Sequence, residues 1–457
     1  MQFELMMLGG AEEIGANSCF MSFDGVGIIV DAGLHPKRRD ALALPDFSAI
    51  QDRSAAAIVI THAHTDHLGA LPFAMHHQPQ MAVFMTRATR DLSEIMLRNS
   101  SRLLRTEVAE EFPREALAQY RPEIVRNLSV LIQGMRLDEE FTIAGAHGGG
   151  HDIRVRFCHA GHILGAAGVL FDVGGRRILH SGDVHFGAQE LIAGADLPRE
   201  HVDVLVLEST NGAQLEPPDP ADEMRRLAEM INRASNAGGS VLIPAFALGK
   251  TQEMLKRLHE MMNAGMIPRL PMYSGGLSAK INIVYDRYCY TVPRVDPGFE
   301  MTDISHTPID YNSLMSGPYF KQPSIVLATS GMLNAGTTAF QLAQAWMQRP
   351  NFAIAFAGYL DEDTPGYALA HSTRNQEFLL AGRKTKRVCE VGRFRFSAHA
   401  SRADLIDYVW DVRPNHLFLV HGDSEACESL GAAVKSRLPH CRIRIPRLSH
   451  SYLIDLS

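Results

Sequence analysis

Four residues of metal-ligand type fall within six positions of the 457-residue chain: His62, His64, Asp66 and His67, in the run THAHTDHLGALP. The run follows the apolar stretch AAAIVI, Ala55–Ile60, and opens an apolar helical pattern. Alternate residues at a strand end project the same way, so His62 and His64 can share one ion. Asp66 and His67 begin the helix and face a neighbouring point. Imidazole with carboxylate suits a borderline-soft cation such as zinc. A lone histidine at a strand end is usually structural; four ligand-type side chains at this density are not accounted for that way.

Three more candidates share one local pattern. His162 in AGHILGAAG, Asp183 in HSGDV and His421 in LVHGD each come just after an apolar strand and stand next to a glycine, which lets the backbone approach an ion closely. Together the seven side chains suffice for two ions with positions left for water or substrate. His159, His180 and His185 lie nearby and read as supporting or structural residues.

Such ligands need rigid strand ends. Gly27–Asp31, Ala55–Ile60, Val155–Cys158, Arg176–His180 and Val202–Leu207 read as buried strands whose C-terminal ends carry the chemistry. Asp91–Arg105 and Arg114–Arg126 have helical spacing. The Pro-rich EPPDPADEM then leads into a helix near Ala221. Beyond it, SVLIPAF, LPMYS, SIVLATS and AIAFAGY alternate with helical patterns at Lys250–Met262, from Ser278 and at Thr338–Met347, which predicts a second, parallel-sheet unit. Tyr290–Phe320 reads as a long loop, HLFLVHG as a strand, and IRIPRLSHSYLIDL as a closing strand pair.

Composition narrows the class. Hydrophobic residues make up 46% and charged residues 21%, which excludes a disordered chain, a collagen-like fibre or a coiled coil. No apolar run approaches the roughly 20 residues a membrane span needs. The start MQFELMMLGG has no basic leader, and six scattered cysteines form no CxxC pair. Both point to free thiols in the cytoplasm. A net charge of −7 argues against a general nucleic-acid coat protein. Residues 383–402 nevertheless hold seven basic residues and one Glu, interleaved with Phe394 and Phe396, and lead directly to His399. On a strand, Arg393 and Arg395 share a face. A solvated face is the plain alternative; the position before His399 favours a nucleic-acid contact. Ser330–Gly331, Gly275–Gly276 and Gly358 are glycine turns whose amides could cradle phosphate, or ordinary strand-to-helix turns.

Asp31 after GIIV, the THAHTDH run, His162, Asp183 and His421 follow the ordered motifs of the metallo-β-lactamase superfamily. VLESTNG (206–212), IPAFALGKTQE (243–253), TSGML (329–333), Gly358–Tyr359, FSAH (396–399) and VHG (420–422) resemble the β-CASP branch of RNA-processing nucleases, over essentially the whole chain. The resemblance implies an α/β fold: a metallo-β-lactamase αββα sandwich in residues 1–212 and 385–457, with an inserted β-CASP domain of parallel-sheet α/β type in 213–384. It implies two zinc ions, one held by His62, His64 and His162, the other by Asp66, His67 and His421, with Asp183 bridging. It makes Asp31 a carboxylate that orients a ligand histidine, and Glu208 with His399 an acidic–imidazole pair beside the scissile phosphate. Asp66, Asp183, Glu208 and His399 are then the catalytic candidates, and Lys250, Ser330, Gly331, Arg393 and Arg395 the substrate-binding ones. The chain departs from the family pattern at Asn211, where Tyr is common; at Lys250, where Arg is common; at Ser401, where an acidic residue is common; and at Ala166, where Ser is common.

The implied activity is hydrolysis of RNA phosphodiester bonds, endonucleolytic with or without 5′→3′ trimming, on single-stranded RNA. No membrane partner is expected, and a second copy or a partner protein is expected to supply targeting. Three other readings compete. A DNA nuclease of the same superfamily commonly lacks histidine at the position of His421. A small-molecule metallo-hydrolase lacks the inserted domain. A metal-free scaffold subunit loses ligands, whereas all seven stand here.

Overall fold

A computed structural model describes residues 1–143, 152–216 and 219–456. The Pro-rich exit expected before Ala221 includes residues 217 and 218, which lie outside the described residues. The chain divides into two compact units: Met1–Ala188 with Ile192–Pro217 and His399–Ser457, and Gln189–Leu191 with Pro218–Ala398.

The first unit is a pair of seven-stranded sheets. One runs in the order Ser451–Asp455, Gln2–Gly9, Ser18–Phe23, Val26–Val30, Ala55–Ile60, Ala82–Thr86, Ile132–Met135. Its first four strands pair antiparallel, and pairing is parallel from Val26–Val30 onward. The other runs Arg442–Arg444, His416–Val420, Val204–Glu208, Arg176–His180, Ala167–Val173, Ile153–His159, Glu140–Ile143. It is parallel over its first four strands and antiparallel over the rest. Alternate residues of each strand meet between the sheets: Phe3, Met21, Phe23, Ile28 and Val59 from one, Val155, Phe157, Phe171, Val204 and Phe418 from the other, in one buried cluster. The rings of Phe23 and Phe171 stand 5.3 Å apart across the layer.

The residues between carry side chains to the outer faces, where helices cover them. Leu179, Leu205, Leu207, Leu417 and Leu419 pack under Tyr408 and Val409 of helix Arg402–Val412 and Leu430 and Val434 of helix Ser424–Arg437. On the opposite side helix Arg87–Glu107 lies against strands Ala82–Thr86 and Ile132–Met135. This is the αββα sandwich.

Two local expectations are corrected. The helical pattern of Arg114–Arg126 is two helices, Arg114–Ala118 and Pro122–Leu131, because proline at position 122 can begin a helix but not continue one. The closing pair does not exist: Arg442–Arg444 and Ser451–Asp455 join different sheets, one closing each layer.

The second unit is built on a six-stranded parallel sheet, in the order Thr307–Pro308, Met272–Ser274, Ile325–Ala328, Val241–Pro244, Ala353–Phe356, Glu390–Arg393. Helices Pro220–Asn236, Lys250–Asn263, Gly276–Arg287 and Thr338–Trp346 supply the crossovers, and Trp346 is wholly buried among Tyr319, Phe340 and Phe352. The long segment after Tyr290 is not all loop; it contributes the edge strand Thr307–Pro308 and three short 3-10 turns. Strand Glu390–Arg393 pairs with Ala353–Phe356, so this unit runs on to Ala398, past the expected boundary at residue 384.

Candidate metal centre

Every ligand candidate sits at or just beyond a strand end of the first unit, at the edge where the parallel strands finish. Strand Val26–Val30 ends just before Asp31, Ala55–Ile60 just before the His62–His67 run, Arg176–His180 three residues before Asp183, and His416–Val420 just before His421. Asp31 and His421 take left-handed backbone conformations, with φ of 63° and 51°. Such strain in non-glycine residues persists only where the surroundings hold it, and it turns each side chain sharply off its strand.

The side chains form two groups. His62 Nε2 and His162 Nε2 each lie 3.1 Å from His64 Nδ1, and Asp183 Oδ2 is 3.6 Å from both Nε2 atoms. In the second group His421 Nε2 is 3.4 Å from His67 Nε2 and 3.5 Å from Asp66 Oδ2. Asp183 Oδ1 lies 3.4 Å from His67 Nε2, so one carboxylate faces both groups. Within each triad, and for Asp183 with the first, ligand atoms lie within 4.8 Å of one another.

Supporting residues aim the rings. Asp31 Oδ2 is 2.8 Å from His67 Nδ1, while its carboxylate also accepts the Thr61 amide at 2.7 Å and the Thr61 hydroxyl at 2.8 Å. This turns His67 Nε2 toward the second group. Thr61 Oγ1 stands 3.1 Å from His62 Nδ1, and Thr210 Oγ1 stands 3.0 Å from His421 Nδ1. Glu208 Oε1 accepts the Val184 amide at 2.7 Å, and His399 Nδ1 lies 3.1 Å from both Glu208 oxygens. His399 Nδ1 is 4.0 Å from Asp183 Oδ2, so the pair borders the first group.

The electrostatics favour a cation. Burial alone would raise the Asp66 carboxyl, but His67 and His421 hold it well below the usual carboxylate range. Burial alone would depress His67, yet Asp183, Asp31 and Asp66 push it up to about 10. Burial and the neighbouring imidazoles keep His62 neutral, far below the ordinary histidine value. Burial would likewise depress His399; the Glu208 carboxylate overrides it and raises the imidazole to about 9. Three carboxylates thus hold positive charge at a point where nitrogen ligands converge. Asp183 Oδ1 is buried and accepts no hydrogen bond. That orphaned oxygen, with five imidazoles and a second carboxylate around it, fits a zinc site rather than an ordinary ion-pair cluster.

The other sequence candidates lie in the second unit. Lys250 Nζ donates to the Phe396 carbonyl, Arg393 donates to His371 Nε2 at 2.5 Å, and Ser330 Oγ accepts the Asn334 amide at 2.9 Å. Gly331 sits against the backbone of Ala245 and Phe246. Arg393 and Arg395 are exposed and alternate with buried Phe394 and Phe396, the alternation the sequence predicts. Of the flanking histidines, His185 Nδ1 donates to the His399 carbonyl, 3.1 Å away, and His159 Nε2 to the Ala193 carbonyl, 3.0 Å away. His180, driven by burial down to about 4, accepts the Gly182 amide. Sequence reasoning missed Thr61, Thr210 and Asn17, whose amide lies 3.1 Å from His67 Nε2. Their residue types carry no ligand signal, although Thr61 and Thr210 each adjoin a residue already singled out.

The family described as a beta-lactamase superfamily domain matches residues 27–232, the Beta-Casp domain 251–369, and the Zn-dependent metallo-hydrolase RNA specificity domain 384–446. Endoribonuclease YSH1 of Mycosarcoma maydis is 28% identical over 95% of this chain and 49% of its own length. Cleavage and polyadenylation specificity factor subunit 3-I of Arabidopsis thaliana is 28% identical over 96% of this chain and 62% of its own. An RNase J-like protein of Methanocaldococcus jannaschii is 26% identical over 91% of each. The chain therefore spans about half to two-thirds of the first two relatives. A crystal structure of a protein of unknown function from Enterococcus faecalis V583 shares the fold, with a TM-score of 0.58 over 99% of this chain and all of that one at 13% identity.

Proposed function

The chain belongs to the β-CASP branch of the metallo-β-lactamase superfamily, and from that premise we propose that it is a zinc-dependent ribonuclease binding two zinc ions. The observation that carries the proposal is the convergence of two ligand triads on the shared carboxylate of Asp183. His62, His64 and His162 would hold one ion and Asp66, His67 and His421 the other, with the Asp183 carboxylate facing both groups. Bound zinc supplies Lewis acidity toward phosphate oxygens and makes water a nucleophile at neutral pH. The chain's own residues do the rest. Asp31 keeps His67 in the ligating orientation. Glu208 holds His399 by Nδ1, so Nε2 carries the proton given to the leaving 3′-oxygen. Lys250, Ser330, Gly331, Arg393 and Arg395 are proposed to contact the RNA backbone.

RNA is favoured over DNA because the three relatives above carry ribonuclease or RNA-processing names and His421 is present. Single-stranded RNA is the proposed substrate. Among the described residues no helix is long and apolar enough to cross a membrane. A cytoplasmic setting is proposed on the six buried free thiols, and targeting by a second copy or a partner protein on the relative named as a cleavage and polyadenylation specificity factor subunit.

The test is zinc-loaded protein with 5′-labelled single-stranded RNA and the matching DNA, beside Asp183→Ala and His399→Ala. About two zinc per chain, RNA cleavage, and a loss on the order of 10²–10⁴-fold in His399→Ala are expected. Zinc near zero, equal cleavage by the variants, or cleavage of DNA alone overturns the reading.

A further inference from the structure

Residues 208–212 form one tight turn. Strand Val204–Glu208 ends in it, the Gly212 amide donates back to Ser209 O at 2.8 Å, and a Cβ on Gly212 would lie 2.3 Å from the Ala426 carbonyl. Helix Ser424–Arg437 therefore walls the turn in, and only glycine fits at its end. This turn holds His399 at both ends. Glu208 takes the imidazole through Nδ1. Asn211 Nδ2 donates to the Ala400 carbonyl at 2.9 Å and to the His399 carbonyl at 3.3 Å. From the other side His185 Nδ1 donates to the same His399 carbonyl, and the Ala400 amide donates to Val184 O at 2.6 Å. The Val184 amide is held in turn by Glu208. Val184 follows Asp183 directly, so main-chain and side-chain bonds tie the position of His399 to that of Asp183.

We propose that Asn211 is a positioning residue for His399, fixing the 399–400 main chain so that the imidazole meets the leaving oxygen. The proposal rests on the reading of His399 as proton donor. In that step water oxygen forms the new bond to phosphorus and loses one proton to solvent, the bond to the 3′-oxygen breaks, the proton on His399 Nε2 passes to that oxygen, and solvent reprotonates His399 for the next turnover. An anchor of this kind matters because misplacing a catalytic group by about 1 Å costs on the order of 10²-fold. The buried wall behind the turn makes it a stiff anchor.

The experiment compares Asn211→Ala and Asn211→Asp with His399→Ala and the double variant Asn211→Ala/His399→Ala. Substrates are single-stranded RNA and bis(p-nitrophenyl) phosphate, whose nitrophenolate leaves without a proton. Each Asn211 variant is expected to bind zinc like the parent and to lose about 10- to 100-fold in kcat on RNA. KM on RNA stays within about two-fold, and the loss on the nitrophenyl ester stays under about three-fold. The double variant is expected to be no slower than His399→Ala alone. A crystal structure of zinc-loaded Asn211→Ala is expected to show residues 399–400 displaced. Equal losses on both substrates, a double variant slower than His399→Ala, or an unmoved 399–400 segment overturns the role. Should His399→Ala itself lose equally on both substrates, the proton-donor reading falls and takes this one with it. Leaving-group dependence in His399→Ala but not in the Asn211 variants overturns the positioning role alone.

Discussion

Asp31 Oδ2 lies 2.8 Å from His67 Nδ1, and the same buried carboxylate accepts both the amide and the hydroxyl of Thr61. One residue just past strand Val26–Val30 thus ties the candidate ligand His67 to Thr61, which stands directly before the candidate ligand His62. Asp31→Asn keeps the shape but loses the charge that orients His67. Zinc affinity is expected to fall about 10- to 100-fold in the second group, with the first retained. Chelator competition followed at each zinc equivalent checks this; two equivalents of parental affinity would contradict it.

Gly33 makes a sharper demand. Its amide donates to Asn17 O at 2.9 Å, and a Cβ there would fall 1.7 Å from the Asp66 carbonyl. No side-chain adjustment relieves a clash with backbone. Gly33→Ala must move the Asp66–His67 segment, so if the proposed second zinc is held there, the variant is expected to bind about one zinc fewer per chain than the parent. Elemental analysis of the purified variant reads the outcome directly.

Much of this centre is legible in residue order, for a physical reason. Metal ligands must be particular residue types, and in a parallel sheet they must sit at strand ends; AAAIVI followed by THAHTDH states both at once. Glu208 and His399 are 191 positions apart, and only family resemblance joined them; the fold brings them within 3.1 Å. Asn211 stood out as a departure without a role, because its partners are main-chain carbonyls, which no side-chain pattern announces. The closing strands illustrate the opposite failure. Arg442–Arg444 and Ser451–Asp455 both have strand character, but nothing local says that the six residues between them cross from one sheet to the other.

The sandwich core predicts where stability is concentrated. Phe171 is fully buried between the layers and meets Phe23 with ring centroids 5.3 Å apart. Phe171→Ala removes contacts to both sheets and leaves a cavity, for an expected cost of about 3–5 kcal/mol. A guanidinium titration of the zinc-loaded protein should show the loss. A change below about 1 kcal/mol would mean that the two sheets are not joined at this residue.

His416 gives a pH dependence whose sign can be worked out. It begins the strand that leads into His421, is buried, and accepts a hydrogen bond from Arg444 Nη1 at 2.9 Å. Burial first, then the charges of Arg444 and Arg442, drive its imidazole down to about 4. The folded chain therefore holds it neutral while the unfolded chain protonates it near the ordinary histidine value. Below that value the unfolded state binds the extra proton, so stability is lost as pH falls from about 6.5 toward 4 and is fully present above that window. His416→Gln keeps an acceptor for Arg444 without a titrating group. Between pH 7 and pH 5 the parent is expected to lose about 1 kcal/mol more than this variant, measured from denaturant midpoints at fixed zinc. Parallel losses in parent and variant would show that His416 is not held neutral in the folded chain.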